Sequence, residues 1–260
     1  MECSKCHYVN KPGTKFCVKC GNKLADNNFT EKVGADAHQA EEKIVKQTSE
    51  VSDNAHDFFE FFKNSLKKPM TMSLPNDKKM GYISLVIYLV LAWLSVFSFG
   101  KKITDTVAGA TGGFSHVADP VSSQITNNLG FAVLITLVVT WILGWAVSSL
   151  LMNSKESLAD YTLEYSRFLN VGSVLFILSI ILIFICPLNL LYLGTAIFAI
   201  ACTLSTFALT YTVLTAKNNA SFDALYSLLI AYVLGMIVTS LTLQSVVGNL
   251  IQTFARIFNF

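Results

Sequence analysis

The stretch that decides the fold is residues 168–216, which reads FLNVGSVLFILSIILIFICPLNLLYLGTAIFAIACTLSTFALTYTVLTA. Its 49 residues include no Asp, Glu, Lys, Arg or His. As one helix rising about 1.5 Å per residue, it would be roughly twice as long as the hydrocarbon layer of a bilayer is thick. The chain must therefore fold back once. Pro187 marks the place, because it lacks a backbone N–H and disfavours a helical conformation in the preceding residue. The stretch predicts a transmembrane helical hairpin.

The composition of the whole chain also indicates a membrane protein. Of its 260 residues, 53% are hydrophobic and only 14% are charged, and the mean hydropathy is +0.52. The charges are unevenly distributed. Residues 1–79 contain 13 Lys and 11 acidic residues, whereas residues 80–260 contain six basic and six acidic residues. We therefore expect a polar N-terminal third joined to a membrane-embedded remainder.

The N-terminal segment carries a metal-binding pattern made of two Cys-x-x-Cys pairs, namely Cys3/Cys6 and Cys17/Cys20. Each pair can present two thiolates to one ion, and the ten residues between the pairs allow them to meet around a tetrahedral centre. Gly21 directly follows the second pair and suits a turn with positive φ, and His7 holds the equivalent position after the first. We predict that the four cysteines bind zinc in a module over residues 1–24.

Two disulfides or a dithiol redox centre are the alternatives for these cysteines. Met1 leads directly into the motif rather than into an export signal, so we expect a reducing compartment, which favours zinc. The residues resemble the short zinc ribbons at the N-termini of many bacterial proteins, in which two Cys-x-x-Cys-Gly turns enclose a stretch with Pro, Gly and Phe. This resemblance covers about the first 24 residues. It implies zinc and leaves the function open.

The basic surface of this module raises the question of a nucleic-acid partner. Five lysines could contact phosphates, and they are Lys5, Lys11, Lys15, Lys19 and Lys23. The module contains no arginine, and a zinc centre with four thiolates contributes negative charge. Both observations argue against nucleic acid as a partner.

Residues 25–79 are expected to form a cytoplasmic linker that is helical or partly disordered. Its end predicts an amphipathic helix. At 100° per residue one broad face carries Phe58, Phe59, Phe61, Phe62 and Leu66, and the opposite face carries Lys63, Lys67 and Lys68 beside Asp57 and Glu60. Such a helix can lie on an anionic membrane surface with its lysines towards the headgroups. Packing against the transmembrane bundle is the alternative.

Residues 80–260 predict a membrane domain. We expect an all-α bundle of five spans, at about residues 81–99, 130–152, 168–186, 190–216 and 222–244. Residues 103–129 are expected to form a connector of small and polar residues, and residues 153–167 a polar stretch. The tail after residue 244 is too short to cross again and is expected to extend the last helix or lie at the interface.

The lysines and arginines near the spans predict the orientation. With a cytoplasmic N-terminus, eight lie on the inner side, namely Lys63, Lys67, Lys68, Lys78, Lys79, Lys155, Arg167 and Lys217. The outer side then has three, namely Lys101, Lys102 and Arg256. We therefore expect a multi-pass protein of the bacterial cell membrane with its N-terminus in the cytoplasm and its C-terminus outside.

Two further resemblances concern the membrane domain. Five spans after a cytoplasmic tail, a tight hairpin between spans three and four, and the sequence LADYTLEYSRFL from Leu158 are similar to the Yip family of five-span membrane proteins. The whole chain resembles zinc-ribbon membrane proteins of Gram-positive bacteria. Neither resemblance supplies a function.

Three classes of function were weighed. We favour a non-enzymatic adaptor or regulator that binds a cytoplasmic or membrane protein partner. A transporter or channel for a neutral substrate is the alternative, because the central spans carry hydroxyls but no charge. An enzyme is not expected, since the chain contains no His-Glu-x-x-His motif and its four histidines lie outside the spans.

Overall fold

The computed structural model describes residues 2–3, 5–11, 14, 16–24, 55–111, 115–217 and 222–258. The chain divides into two units, Met1–Asp57 and Phe58–Phe260. The predicted helical or disordered linker falls largely on residues 25–54, which lie outside the described residues. In the first unit, residues 2–24 contain two isolated antiparallel bridges, Glu2–Val9 and Phe16–Lys23, and the described residues form no longer strand.

The second unit is helical. Helix α1 is described over residues 55–67. The elements that follow are α2 (Lys79–Thr111), α3 (Ser115–Leu150), α4 (Leu158–Ile185), a 3-10 turn (Leu188–Leu190), α5 (Leu191–Thr215) and α6 (Ala224–Phe258). Five stretches of these helices are long and apolar enough to cross a membrane, namely Lys79–Thr106, Ser123–Leu150, Leu158–Ile185, Leu188–Thr215 and Ala224–Asn249. The predicted helical architecture with five helices of membrane-spanning length is confirmed, and these helices indicate a multi-pass membrane protein.

The chain reverses direction at Pro187, as predicted. Helix α4 ends at Ile185, and Cys186 adopts an extended conformation with φ −73° and ψ 143°. The backbone N–H of Leu190 donates to the carbonyl of Pro187 over 2.9 Å, which closes the turn before α5 begins. The two helices then pack along each other, and the Ser179 hydroxyl donates to the carbonyl of Gly194.

Several helices are longer than the predicted spans. Helix α4 begins at Leu158, within the expected polar stretch, because the Ser157 hydroxyl accepts a hydrogen bond from the backbone N–H of Asp160 and caps the helix. Helices α2 and α3 together include all but residues 112–114 of the expected connector. The tail extends α6 to Phe258, which was one of the two expectations. Polar sequence ends the apolar span without ending the helix.

Helix α4 lies at the centre of the bundle, between α2 and α5, and α6 packs chiefly on α3. A Cβ atom at Gly81 would lie 2.7 Å from the Cα of Leu163, so the absence of a side chain lets α2 and α4 approach closely. The buried Tyr88 hydroxyl donates to the carbonyl of Ala201 over 2.7 Å and thereby links α2 to α5.

Candidate functional site

The four N-terminal cysteines come together in one cluster, as predicted. Their sulfur atoms all lie within 4.8 Å of one another. The Sγ atoms of Cys3 and Cys20 are 3.6 Å apart, and so are those of Cys6 and Cys17. A tetrahedral ion with metal–sulfur bonds of about 2.3 Å requires sulfur pairs about 3.8 Å apart. The cluster therefore fits a single metal ion held by four thiolates.

The two Cys-x-x-Cys turns have the same backbone geometry. The N–H of His7 donates to the carbonyl of Cys3, and the N–H of Gly21 donates to the carbonyl of Cys17, each over 2.8 Å. His7 and Gly21 both have positive φ, 54° and 68°. Glycine adopts this conformation freely, and histidine is among the residues that tolerate it. His7 therefore replaces glycine in the first turn without changing its shape.

Hydrogen bonds to sulfur favour thiolates at two of the four ligands. The backbone N–H of Lys5 is the main group that lowers the pKa of Cys3. Burial raises the pKa of Cys17, but hydrogen bonds from the Asn10 amide and from backbone N–H groups outweigh it and lower this pKa to about 6. At Cys6, the backbone N–H of Tyr8 lowers the pKa, but hydrogen bonds with neighbouring thiols and burial outweigh it and raise this pKa to about 12. A bound cation would replace the protons that these sulfurs share.

Asn10 supports the cysteine cluster, and the sequence reasoning missed it. Its side chain is almost fully buried. The amide donates to the carbonyl of Tyr8 and its oxygen accepts from the backbone N–H of Val18, both over 3.0 Å. Asn10 thus connects the two cysteine turns. The sequence did show a polar residue between the two cysteine pairs, but it did not indicate which groups the side chain would bind.

The predicted amphipathic helix α1 packs one side against the bundle. Phe61 is 3% exposed and lies in a cluster with Met80 of α2 and Leu163 of α4. Ser65 is fully buried and accepts a hydrogen bond of 3.0 Å from the side-chain amide of Asn170. This bond joins α1 to α4 at a point about three turns from the start of α4. Residues 58–67 are therefore part of the bundle.

The opposite side of α1 keeps aromatic and basic side chains exposed. Phe59 is 66% exposed and Leu66 is 40% exposed. Phe58 and Phe62 are half-buried, and the exposed lysines are Lys63, Lys67 and Lys68. The broad face predicted from the helical wheel is thus divided, since Phe61 contacts the bundle while Phe59 and Leu66 remain available to a membrane surface.

A buried ion pair lies in the first turns of α4. The Arg167 side chain is 5% exposed, and its Nη2 lies 2.6 Å from Oε1 of Glu164. The guanidinium also lies over the rings of Phe168 and Tyr211, at 5.5 and 5.0 Å from their centroids. These interactions compensate the burial of the charge. The sequence reasoning counted Arg167 only as a charge that determines orientation.

The chain was compared with protein families, curated proteins and solved structures. The model of a family described as a domain of unknown function (DUF6574) matches residues 48–254. No curated protein and no solved structure matches. The matched region includes α1, the central helices and most of α6, but not the four cysteines. Because it covers well over half of the sequence, the chain belongs to the DUF6574 family.

Proposed function

We propose that this protein is a non-enzymatic adaptor or regulator of the bacterial cell membrane, in which an N-terminal zinc ribbon binds a cytoplasmic or membrane protein partner. The helical unit would hold the ribbon at the membrane. As part of this proposal, we regard the protein as similar to zinc-ribbon membrane proteins of Gram-positive bacteria and, in its membrane domain, to the Yip family.

Zinc is the metal that suits the cysteine cluster best. Four thiolates in a tetrahedral arrangement are typical of structural zinc sites, and they leave no coordination position open for water or substrate. The site would then stabilise the ribbon rather than catalyse a reaction. An iron–sulfur cluster also uses four cysteines, so the metal content has to be measured.

The exposed apolar surface of the ribbon is the observation that carries the adaptor proposal. Val9 and Val18 are 72% and 73% exposed, and Phe16 is 58% exposed. Exposed large apolar side chains on a module of 24 residues favour contact with another protein. Nucleic acid would instead require a surface dominated by basic groups.

The charges at the two ends of the bundle support the proposed orientation. The Lys78 ammonium lies 2.7 Å from a carboxylate oxygen of Asp160, so the starts of α2 and α4 share one end of the bundle. Lys102 donates to the carbonyl of Phe184 at the other end. The excess of basic residues at the first end supports a cytoplasmic N-terminus. There the exposed lysines and Phe59 of α1 would contact anionic lipid headgroups.

Cysteine labelling of intact cells tests this orientation. Cys186 is first replaced by Ser, since it lies at the hairpin turn. An impermeant maleimide should then label Ser115→Cys, at the start of α3, and leave the exposed Lys155→Cys unlabelled until the cells are opened. Labelling of Lys155→Cys alone in intact cells would reverse the orientation and with it the cytoplasmic ribbon.

Site-specific crosslinking tests the partner. A photoreactive amino acid at Val18 should crosslink one defined protein in cells, and the crosslink should disappear when Cys17→Ser removes a metal ligand. The same group at Lys101, which is exposed at the other end of the bundle, serves as a control and should not crosslink this protein. The adaptor proposal fails if Val18 yields no specific product. It also fails if vesicles containing protein without residues 1–24 transport neutral solutes.

A further inference from the structure

A cleft lies between helices α3, α5 and α6, where α5 and α6 make little contact with each other. It contains two adjoining cavities of about 320 and 430 Å³. These volumes are in the range of small-molecule sites, about 300–1,000 Å³. Both cavities are lined by Thr136, Thr140, Thr206, Thr239 and Leu243. The cleft thus combines apolar walls with a concentration of hydroxyl groups.

These hydroxyls lie near the middle of the membrane spans. Thr206 lies nine residues before the end of the span Leu188–Thr215, and Thr136 and Thr239 are at least ten residues from either end of theirs. At about 1.5 Å per residue, each is roughly 14 Å or more from the nearer end. At this depth no bulk water is available, so the groups that satisfy these hydroxyls must come from the protein or from a ligand.

Most of the hydroxyls use their proton within their own helix. Thr136 donates to the carbonyl of Ala132 over 2.9 Å, and Thr239 donates to that of Gly235 over 2.8 Å. Their oxygen lone pairs remain available as acceptors. Thr206 differs, because its hydroxyl has no hydrogen-bond partner among the described residues. The cleft therefore offers several acceptors, and Thr206 offers a donor.

We propose that this cleft binds an uncharged amphiphile that carries hydroxyl groups and enters from the lipid phase. Its hydroxyls would donate to the threonine oxygens of α3 and α6 and accept from Thr206, while its chain would pack on the apolar walls. The site lies within the helical bundle, and the proposal does not depend on the adaptor function.

The chemistry of the walls argues against the other classes of occupant. Asp, Glu, Lys, Arg and His are absent from the described residues that line the two cavities, so a charged ligand would have no counter-ion. A second copy of the chain that packed on central α6 would meet a surface whose exposed large residues include Val233, Met236 and Ile237. Those side chains cannot satisfy the hydroxyl of Thr206.

The test uses the full-length protein in nanodiscs and a photoactivatable monoacylglycerol, which is uncharged and has two hydroxyls. Illumination should label peptides of α3, α5 or α6 that line the cleft, and unlabelled monoacylglycerol should compete. The same probe with both hydroxyls acetylated should label at least about fivefold less, because two or more hydrogen bonds of about 0.5–1.5 kcal/mol each are lost.

Substitutions locate the site. Thr206→Val removes the hydroxyl at nearly constant volume, and Thr206→Leu also fills the cavity, so each should reduce labelling severalfold. Thr215→Val, on the same helix but outside the cleft, should leave labelling unchanged. Thr239→Val tests the acceptor side and, because this side chain is exposed, should fold normally. Equal labelling by the acetylated probe would overturn the proposal. Unchanged labelling of the Thr206 variants, or crosslinks between two copies at Thr206, would overturn it as well.

Discussion

In the ribbon, the buried apolar side chains among the described residues are those of Cys3, Cys17 and Leu24. The helical bundle instead buries a continuous cluster that includes Tyr88, Tyr165, Phe176 and Leu209. A module of 24 residues cannot bury enough apolar surface to offset the loss of backbone entropy. We therefore expect the proposed ribbon to depend on a bound metal, whereas the bundle is stabilised by close helix packing and by hydrogen bonds between helices.

Removal of one thiolate should give the largest effect. Structural zinc contributes about 10–16 kcal/mol to the folding of small metal-binding modules near neutral pH, so Cys17→Ser should unfold the ribbon and abolish its bound metal. The helix content and membrane insertion of the second unit should not change. Metal analysis and circular dichroism of the purified full-length protein measure the two quantities.

Cys186→Ser is the matched control for this substitution, because Cys186 lies at the hairpin turn and not among the metal ligands. It should retain one metal ion per chain. If Cys17→Ser retained the metal, the site with four cysteines would be wrong. If its membrane insertion failed, the ribbon and the bundle would not be independent.

The buried ion pair of α4 should give the largest effect within the bundle. Arg167→Met leaves the Glu164 carboxylate without its partner, which costs about 3–5 kcal/mol. The pair of Lys78 and Asp160 is the comparison, because these side chains are 49% and 43% exposed. Lys78→Met should therefore change the free energy of unfolding by about 1 kcal/mol or less. Thermal unfolding in detergent compares the two. Equal shifts in the midpoint of thermal unfolding would show that the buried pair of Arg167 and Glu164 contributes no more than the exposed pair.

The two faces of α1 should respond differently to substitution. Phe61→Ala removes a buried ring and should destabilise the packing of α1 by about 3 kcal/mol, whereas Phe59→Ala on the exposed face should have little effect on stability. Amide hydrogen exchange of residues 58–67 measures the loss of protection. Similar exchange in both variants would indicate that α1 does not pack through Phe61.

The hydrogen bond between α2 and α5 should give the smallest of these effects. Tyr88→Phe removes this buried hydrogen bond, while the carbonyl of Ala201 keeps its bond within α5, so the cost should be about 0.5–1.5 kcal/mol. Tyr226→Phe, on a ring that is 60% exposed, is the control and should leave the midpoint of thermal unfolding unchanged. If Tyr88→Phe did not change this midpoint either, the aromatic ring and not the hydroxyl of Tyr88 would stabilise the contact.

The sequence predicted the features that depend on local pattern. The uncharged stretch with Pro187 indicated the hairpin, and the spacing of the cysteines indicated the cluster. Helix ends were less predictable, because the Ser157 cap lets α4 begin ten residues before its apolar part. The boundary of an apolar run marks the hydrocarbon layer, and a helix can continue beyond it.

Contacts between distant elements were not predictable. The helical wheel placed Phe59 and Phe61 on one face, but only the position of α4 determines which ring is buried. The pairing of Glu164 with Arg167 is local, yet its burial depends on Tyr211 of α5. The cleft likewise results from the way in which α6 packs on α3, which no pattern in a single helix specifies.

The short turn at Pro187 has a consequence for biosynthesis. Helices α4 and α5 are separated by residues 186–190, and these residues carry no charge. In the proposed orientation this turn has to cross the membrane, and no lysine or arginine, which would each oppose insertion at the centre of a membrane helix by about 2.5–3.5 kcal/mol, crosses with it. The turn also lacks basic residues that would retain it on the cytoplasmic side. In that orientation we expect the translocation machinery to release α4 and α5 into the lipid together, as one preformed pair.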